Sequence, residues 1–160
     1  MVIGDTTIRF EENYGMMDVS AIGVLSMERQ ESLHIYAQPG VLSSLAQWVE
    51  DFGRQYQIPE PFTGHLNLIL EELFTNIVNH GAAEGESPVP VSLTLTMKGD
   101  SVELKIADAG APFDPRELET PDFADSLEDR AIGGLGVYFV KELADKLDYE
   151  YRDGWNITRI

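Results

Sequence analysis

The chain has 160 residues, with 28 Asp and Glu against 11 Lys and Arg, and its formal net charge is -17. Its length and its 43% hydrophobic content fit one domain with its own core, so disordered and fibrous classes are excluded. A large negative charge repels phosphate backbones and anionic lipid headgroups, which argues against a nucleic-acid binder and against a membrane-surface protein.

We expect neither a secretory signal nor cysteine-based redox chemistry. It contains no cysteine, which excludes a disulfide framework, a zinc–thiolate site and a cysteine nucleophile. Charged residues, beginning with Asp5 and Arg9, interrupt the N-terminus, so it does not have the pattern of a secretory signal. No apolar stretch approaches the ~18 residues that a spanning helix needs. We therefore expect a cytoplasmic protein.

The first half of the chain predicts one strand and two helices. Residues 1 to 31 carry little pattern and are expected to form an N-terminal arm or an extra hairpin, with residues 32 to 160 as the main domain. From Leu33 onward, apolar residues alternate as in a strand, which ends at Pro39. Two amphipathic helices follow; their apolar positions are Val41, Leu42, Leu45, Trp48, Val49 and Phe52, then Leu66, Ile69, Leu70, Leu73 and Ile77.

The second half predicts a hairpin, a lid, a helix and two closing strands. Alternation over residues 91 to 97 and 102 to 106 indicates an antiparallel hairpin. Residues 108 to 134 form a long connection of the kind that serves as a lid, and a helix follows from Leu135. Residues 149 to 152 and 155 to 160 read as strands. The predicted fold is α+β: a mixed, mainly antiparallel sheet covered on one face by about three helices.

Three clusters could carry chemistry, and the first lies on the long helix. At about 100° per residue, Glu72, Asn76 and Asn79 fall on one edge of the apolar stripe. A carboxylate and an amide one turn apart can accept a proton from a hydroxyl and bind a hard cation. A solvated helix edge is the simpler alternative for this cluster taken alone.

The second and third clusters are rich in glycine. Asp108 and Gly110 end a strand, where the carboxylate can accept hydrogen bonds from a ligand's amino group. For this cluster taken alone, an ordinary turn is the better explanation. Residues 133 to 136 read Gly-Gly-Leu-Gly and open a helix that carries Lys141. Such a turn presents unpaired N–H groups to an anion, or serves as a lid hinge. It matches neither a P-loop nor a dinucleotide fingerprint.

In this order and separation the clusters resemble the N, G1 and G2 boxes of the GHKL ATPase/kinase superfamily. The similarity is greatest to its small stand-alone anti-sigma factor serine kinases, and it covers about Leu33 to Ile160. The phrases EELFTNIVNHG, PFDP, LEDRAIGGLGVYFVKELAD and GWN carry it. The resemblance implies a histidine kinase-like ATP-binding domain of the Bergerat type.

The resemblance also implies a role for each matched residue. Asn76 would bind Mg²⁺ and bridge it to ATP, with Asn79 beside it, and Glu72 would be the general base for a serine or threonine hydroxyl. Asp108 would accept from the adenine amino group, with Gly110 leaving room for the ring. The phosphates would be bound by Gly133, Gly134, Leu135, Gly136 and Lys141, and residues 116 to 132 would form a lid over them.

Partners and metal dependence follow from the same resemblance and from charge. The expected substrate is a STAS-domain antagonist, with a sigma factor as a further partner, and a homodimer is left open. Pro112 stands where the first glycine box usually has another glycine, so that loop should be stiffer. The lid segment is rich in Asp and Glu, whose field opposes a triphosphate, so ATP binding should depend strongly on Mg²⁺.

Two other functions fit parts of the same sequence. The chain could be an ATP-gated protein-binding switch that transfers no phosphate, which has the same sequence pattern as a kinase. It could also be the catalytic domain of a histidine kinase. The second alternative is disfavoured, because no helical segment with a phospho-acceptor histidine precedes the domain and His34 falls in a predicted strand.

Overall fold

The computed structural model describes residues 28–82, 87–117 and 135–160, with Leu135 described through its backbone alone. It also describes the backbone of two short strands, β1 (Val2–Ile3) and β2 (Thr6–Thr7), which pair antiparallel. The predicted lid beyond residue 117, and the glycines at 133 and 134, lie outside the described residues. Residues 8 to 27 of the predicted N-terminal arm also lie outside them.

The main domain has the predicted order of strand, two helices, hairpin, helix and hairpin. Its elements are β3 (Arg29–Tyr36), α1 (Leu42–Gln55), α2 (Glu60–His80), β4 (Pro90–Lys98), β5 (Ser101–Asp108), α3 (Leu135–Leu143), β6 (Asp148–Arg152) and β7 (Trp155–Arg159). A 3-10 turn at Pro39–Val41 leads into α1. No helix in these ranges is long and apolar enough to cross a membrane.

The five strands of the main sheet run in the order β3-β4-β5-β7-β6, and every pairing between them is antiparallel. The last strand in the chain, β7, therefore lies between β5 and β6 rather than at the edge. Its register places Asn156 opposite Asp108, where β5 ends. Paired residues project to the same face of a sheet, so these two side chains meet beside the helices.

Two tight hairpins hold this register. In the β4–β5 hairpin Gly99 has a φ of 61°, which glycine adopts without steric cost. In the β6–β7 hairpin Asp153 and Gly154 have φ values of 54° and 82°. An Asp-Gly pair with two positive φ angles is typical of the two-residue type I′ turn that matches strand twist. The short connection fixes β7 beside β6.

The core lies between the sheet and the three helices. Apolar side chains from one helical face pack on alternate residues of the strands, as the sequence periodicity predicts. The largest side chains with almost no exposed surface include Phe52, Phe74, Leu93 and Leu104. The sheet covered by helices is confirmed, and its packing fixes α2 and α3 beside the end of β5.

Helices α1 and α2 approach each other closely at a glycine. A Cβ added at Gly53 in α1 would lie 2.6 Å from Oγ1 and 3.0 Å from Cγ2 of Thr63, which is 8% exposed. Both partners are confined by the packing, so neither can move away freely. Gly64, the next residue of α2, has open space around it.

We predict that Gly53→Ala lowers the free energy of unfolding by about 1–3 kcal/mol, because overpacking outweighs the better helix propensity of alanine. Gly64→Ala is the matched control and should raise stability by about 0.5–1 kcal/mol, since only propensity changes there. Urea denaturation of both variants measures the difference. Equal effects of the two substitutions would contradict the close packing at Gly53.

Candidate active site

Asp108 is a buried carboxylate at the end of β5, only 7% exposed. Its Oδ1 accepts hydrogen bonds from the Gly110 backbone N–H at 3.0 Å and from Asn156 Nδ2 at 2.9 Å. Among the described residues, no group donates to its second oxygen, Oδ2. The carboxylate is thus held by one oxygen and leaves the other as an acceptor.

Burial decides the protonation behaviour of this carboxylate. Desolvation raises the pKa of Asp108 above its ordinary value, and the hydrogen bonds from Asn156 and Gly110 offset only part of that rise. No cation forms a salt bridge with Asp108 within the described part of the chain. The charge is therefore stabilised by neutral donors alone.

Asn156 binds both Asp108 and the loop that follows it. Its Nδ2 donates to Asp108 Oδ1 and to the carbonyl oxygens of Gly110 and Ala111, at 3.3 and 3.0 Å. Its Oδ1 accepts from the Phe113 backbone N–H at 3.1 Å and from the Tyr149 hydroxyl at 2.7 Å. The loop between Asp108 and Asp114, the first glycine loop, is therefore fixed by one buried side chain. It is fixed even though Pro112 has no N–H to donate.

The same loop docks on the C-terminal end of α2. The Ala111 N–H donates to the Gly81 carbonyl at 3.0 Å, and a Cβ at Gly110 would lie 2.9 Å from Gly81 Cα. Gly110 was expected to leave room for a ligand ring. In this structure the close approach that it permits is to the backbone at the end of the helix.

Glu72, midway along α2, contacts the first turn of α3. A Cβ at Gly136 would overlap the carboxylate of Glu72, so the absence of a side chain at Gly136 lets that carboxylate lie against the second residue of α3. Glu72 is partly buried, and so is Asn76 one turn further along. The predicted base and the predicted anion-binding helix start are thereby brought together.

Two residues that were predicted to bind ATP lie near the C-terminal ends of α2 and α3. Asn79 is exposed at the C-terminal end of α2. Lys141 lies in the last turn of α3, where its Nζ donates to the Arg116 carbonyl at 3.0 Å. The roles of both residues toward ATP stay predictions. No group of three His, Asp or Glu side chains that could hold a metal occurs among the described residues.

The start of the predicted lid is attached to the site. Arg116 forms a salt bridge with Asp114 at 2.7 Å, and its guanidinium lies over the Tyr149 ring, 5.7 Å from the centroid. The hydrogen bonds from Arg116 lower the pKa of Asp114. With Lys141 on its carbonyl, Arg116 is tied to both α3 and β6.

The sequence pattern did not single out Asn156 as a site residue. Its signals were its place in the GWN phrase and a polar residue on the inward face of a closing strand. Asp108, its partner in the neighbouring strand, is distant in sequence. Of the predicted residues, Glu72 and Gly136 are in contact, and Asp108 and Gly110 are hydrogen-bonded.

The family of this chain follows from its match to a protein-family model. The model of the histidine kinase-like ATPase domain matches residues 35–160. The chain belongs to this family. The resemblance to an ATP-binding kinase domain is therefore confirmed, and adenine nucleotide is the ligand class that the family's description names.

Similar proteins include two named protein kinases. The chain is 30% identical over 128 residues to the serine/threonine-protein kinase BtrW of Bordetella bronchiseptica, covering 80% of this chain and 89% of that protein. It is 26% identical over 141 residues to the serine-protein kinase RsbW of Listeria monocytogenes, covering 83% and 87%. Both matches extend over nearly the whole of the relative.

A solved structure has the same fold. The crystal structure of the RsbU and RsbW domains of Rv1364c from Mycobacterium tuberculosis is similar with a TM-score of 0.55 at 14% identity. The match covers 81% of this chain and 31% of that chain. At this identity the similarity confirms the α+β fold alone.

The buried carboxylate gives a prediction on stability and pH. The folded state binds the Asp108 proton more tightly than the unfolded chain, so wild type should lose stability relative to Asp108→Asn as the pH rises above about 4. The amide oxygen that this substitution introduces can still accept hydrogen bonds from both donors. Urea denaturation at several pH values measures this difference.

Asp100→Asn is the control, because it removes one carboxylate from the exposed turn between β4 and β5. A difference in stability between wild type and Asp108→Asn that does not change between pH 4 and 8 would contradict the raised pKa.

Proposed function

We propose that the protein is a serine/threonine protein kinase that uses Mg²⁺-ATP and acts as an anti-sigma-type regulator. Its substrate would be a hydroxyl group on a STAS-domain partner. The observation that carries this proposal is the contact between the Glu72 carboxylate and Gly136 at the start of α3. That contact supports the proposal, because it brings a possible proton acceptor beside the helix start at which we propose that the phosphate groups bind. The kinase names of the two relatives support the same activity.

The described residues fit an adenine nucleotide. Asp108 Oδ2 is an acceptor without a donor among the described residues, which suits the amino group at the 6-position of adenine. At the other end of the site, the first backbone N–H groups of α3 have no acceptor within the helix and favour negative charge. Asp108 and the start of α3 would therefore hold opposite ends of the nucleotide.

A metal ion at this site would depend on the phosphates for most of its ligands. Asn76 offers one amide oxygen, and no acidic cluster accompanies it in the described part of the chain. Mg²⁺ commonly binds in this way, through one or two protein oxygens, phosphate oxygens and water. The net charge of -17 strengthens this dependence, because it opposes an unneutralised triphosphate.

The chemistry divides between positioning and proton removal. When bound, ATP would supply the terminal phosphoryl group that a serine or threonine oxygen accepts, with ADP as the leaving group. Glu72 would take the proton of that hydroxyl, and the N–H groups at Leu135 and Gly136 would stabilise the charge that develops on the transferred group. Asn76 would orient the metal. The N-terminal arm of residues 1 to 31 is a candidate surface for partner contacts. A second copy of the chain and a sigma factor are candidate partners.

We predict that Glu72→Gln lowers the rate of phosphate transfer about 100- to 10,000-fold, the range for loss of a general base. ATP affinity should be nearly unchanged, because the base is not a nucleotide ligand. Glu71→Gln is the matched control: it makes the same change of charge at the next residue, which is exposed. Labelled ATP and a STAS-domain protein encoded beside this chain give the readout.

The same experiment separates a kinase from an ATP-gated switch. Transfer by Glu72→Gln at the wild-type rate would show that Glu72 is not the base. If wild type binds ATP and the partner but leaves no phosphate on the partner, the chain is a switch and the kinase proposal is wrong.

We further predict that Asn76→Ala lowers the affinity for ATP in the presence of Mg²⁺ about tenfold or more, which is a loss of about 1.4 kcal/mol. Without Mg²⁺ the substitution should have little effect. Asn67→Ala on the same helix is the control: it removes an amide that has no proposed role toward the metal and whose buried oxygen accepts no hydrogen bond from the described residues. Calorimetric titration measures all four combinations. An equal loss with and without Mg²⁺ would contradict the metal role.

A further inference from the structure

Asn156 has more hydrogen bonds than its place in a closing strand requires. The side chain is 3% exposed, and its two polar atoms have five partners. Three of these partners belong to the backbone of the loop between Asp108 and Asp114. A strand residue that served only the sheet would not need to bind this loop.

The chemistry of these partners fixes the orientation of the amide. The Phe113 N–H can only donate, so the atom that faces it must be the Asn156 oxygen. The carbonyl oxygens of Gly110 and Ala111 can only accept, so the atom between them must be the nitrogen. The nitrogen is then forced to present an N–H to Asp108 Oδ1. No flipped amide satisfies the same set.

The oriented amide determines which oxygen of Asp108 remains available. Asn156 and the Gly110 N–H both occupy Oδ1, and this leaves Oδ2 as the acceptor. If Asn156 were absent, Asp108 could rotate about its side-chain bonds, and the loop carbonyls would lose their donor. Oδ2 would then be held less firmly, because the Gly110 N–H would be the one remaining donor to Oδ1 among the described residues.

We propose that Asn156 is a positioning residue for nucleobase selection: it orients Asp108 so that Oδ2 selects a 6-aminopurine over a 6-oxopurine. This inference rests on the proposed binding of ATP at Asp108. A 6-oxopurine presents a carbonyl oxygen to a carboxylate oxygen, and two acceptors repel each other. Selection therefore depends on how firmly Oδ2 is held.

The test compares the affinities of ATP and inosine triphosphate, which differ in that one group. Wild type should prefer ATP about tenfold or more, as expected for one hydrogen bond to a charged group. Asn156→Leu should reduce the preference to below threefold. Gly53→Ala, which disturbs the distant α1–α2 contact, is the control for general destabilisation and should keep the wild-type preference.

A second variant keeps the test valid if Asn156→Leu does not fold. Tyr149→Phe removes one of the two donors to Asn156 Oδ1 and keeps the ring beneath Arg116, so the preference should fall about two- to threefold. Circular dichroism establishes that each variant is folded.

The possible failures are distinguishable. A folded Asn156→Leu variant that keeps the full preference for ATP would overturn the role of Asn156 and leave ATP binding intact. Failure of wild type to bind either nucleotide, with or without Mg²⁺, would overturn the proposed function and this inference together. Equal binding of the two nucleotides by wild type would overturn the role of Asp108.

Discussion

The hydrogen bond between Asp108 and Asn156 is the interaction on which the site depends. It exists because β7 pairs with β5 and places the two residues opposite each other at the end of the strands. A buried carboxylate is costly to desolvate, and among the described residues neutral donors, rather than a positive side chain, offset part of that cost. The outcome is an acid that keeps one oxygen for a ligand. The loop that follows takes its shape from the same amide.

Helix α2 connects the pair of Asp108 and Asn156 to the rest of the site. Its C-terminal end touches the first glycine loop through Gly81, and its middle touches the start of α3 through Glu72. These two contact points are nine residues apart, which is ~14 Å along a helix. The loop after Asp108 and the start of α3 are therefore held at a spacing set by the rise of α2. A helix packed on the sheet along much of its length keeps that spacing rigid.

Much of the fold followed from periodicity in the sequence. The apolar stripes predicted the helices, although α2 begins at Glu60, before the stripe itself starts, because Pro61 suits the first turn of a helix. The Asp-Gly pair at 153 and 154 is a strong local signal for the last hairpin. The position of β7 beside β5 and the partners of Asn156 could not be predicted in this way, because strand order depends on contacts between residues distant in sequence.

The central claim is that Asp108, held by Asn156, binds the adenine amino group. Its most direct test is a crystal structure of the protein with Mg²⁺ and a non-hydrolysable ATP analogue. We predict that the adenine amino nitrogen lies about 2.7–3.2 Å from Asp108 Oδ2, with Asn156 still donating to Oδ1. Electron density for the base at another place, or an Asp108 whose Oδ2 bonds only to protein, would contradict it.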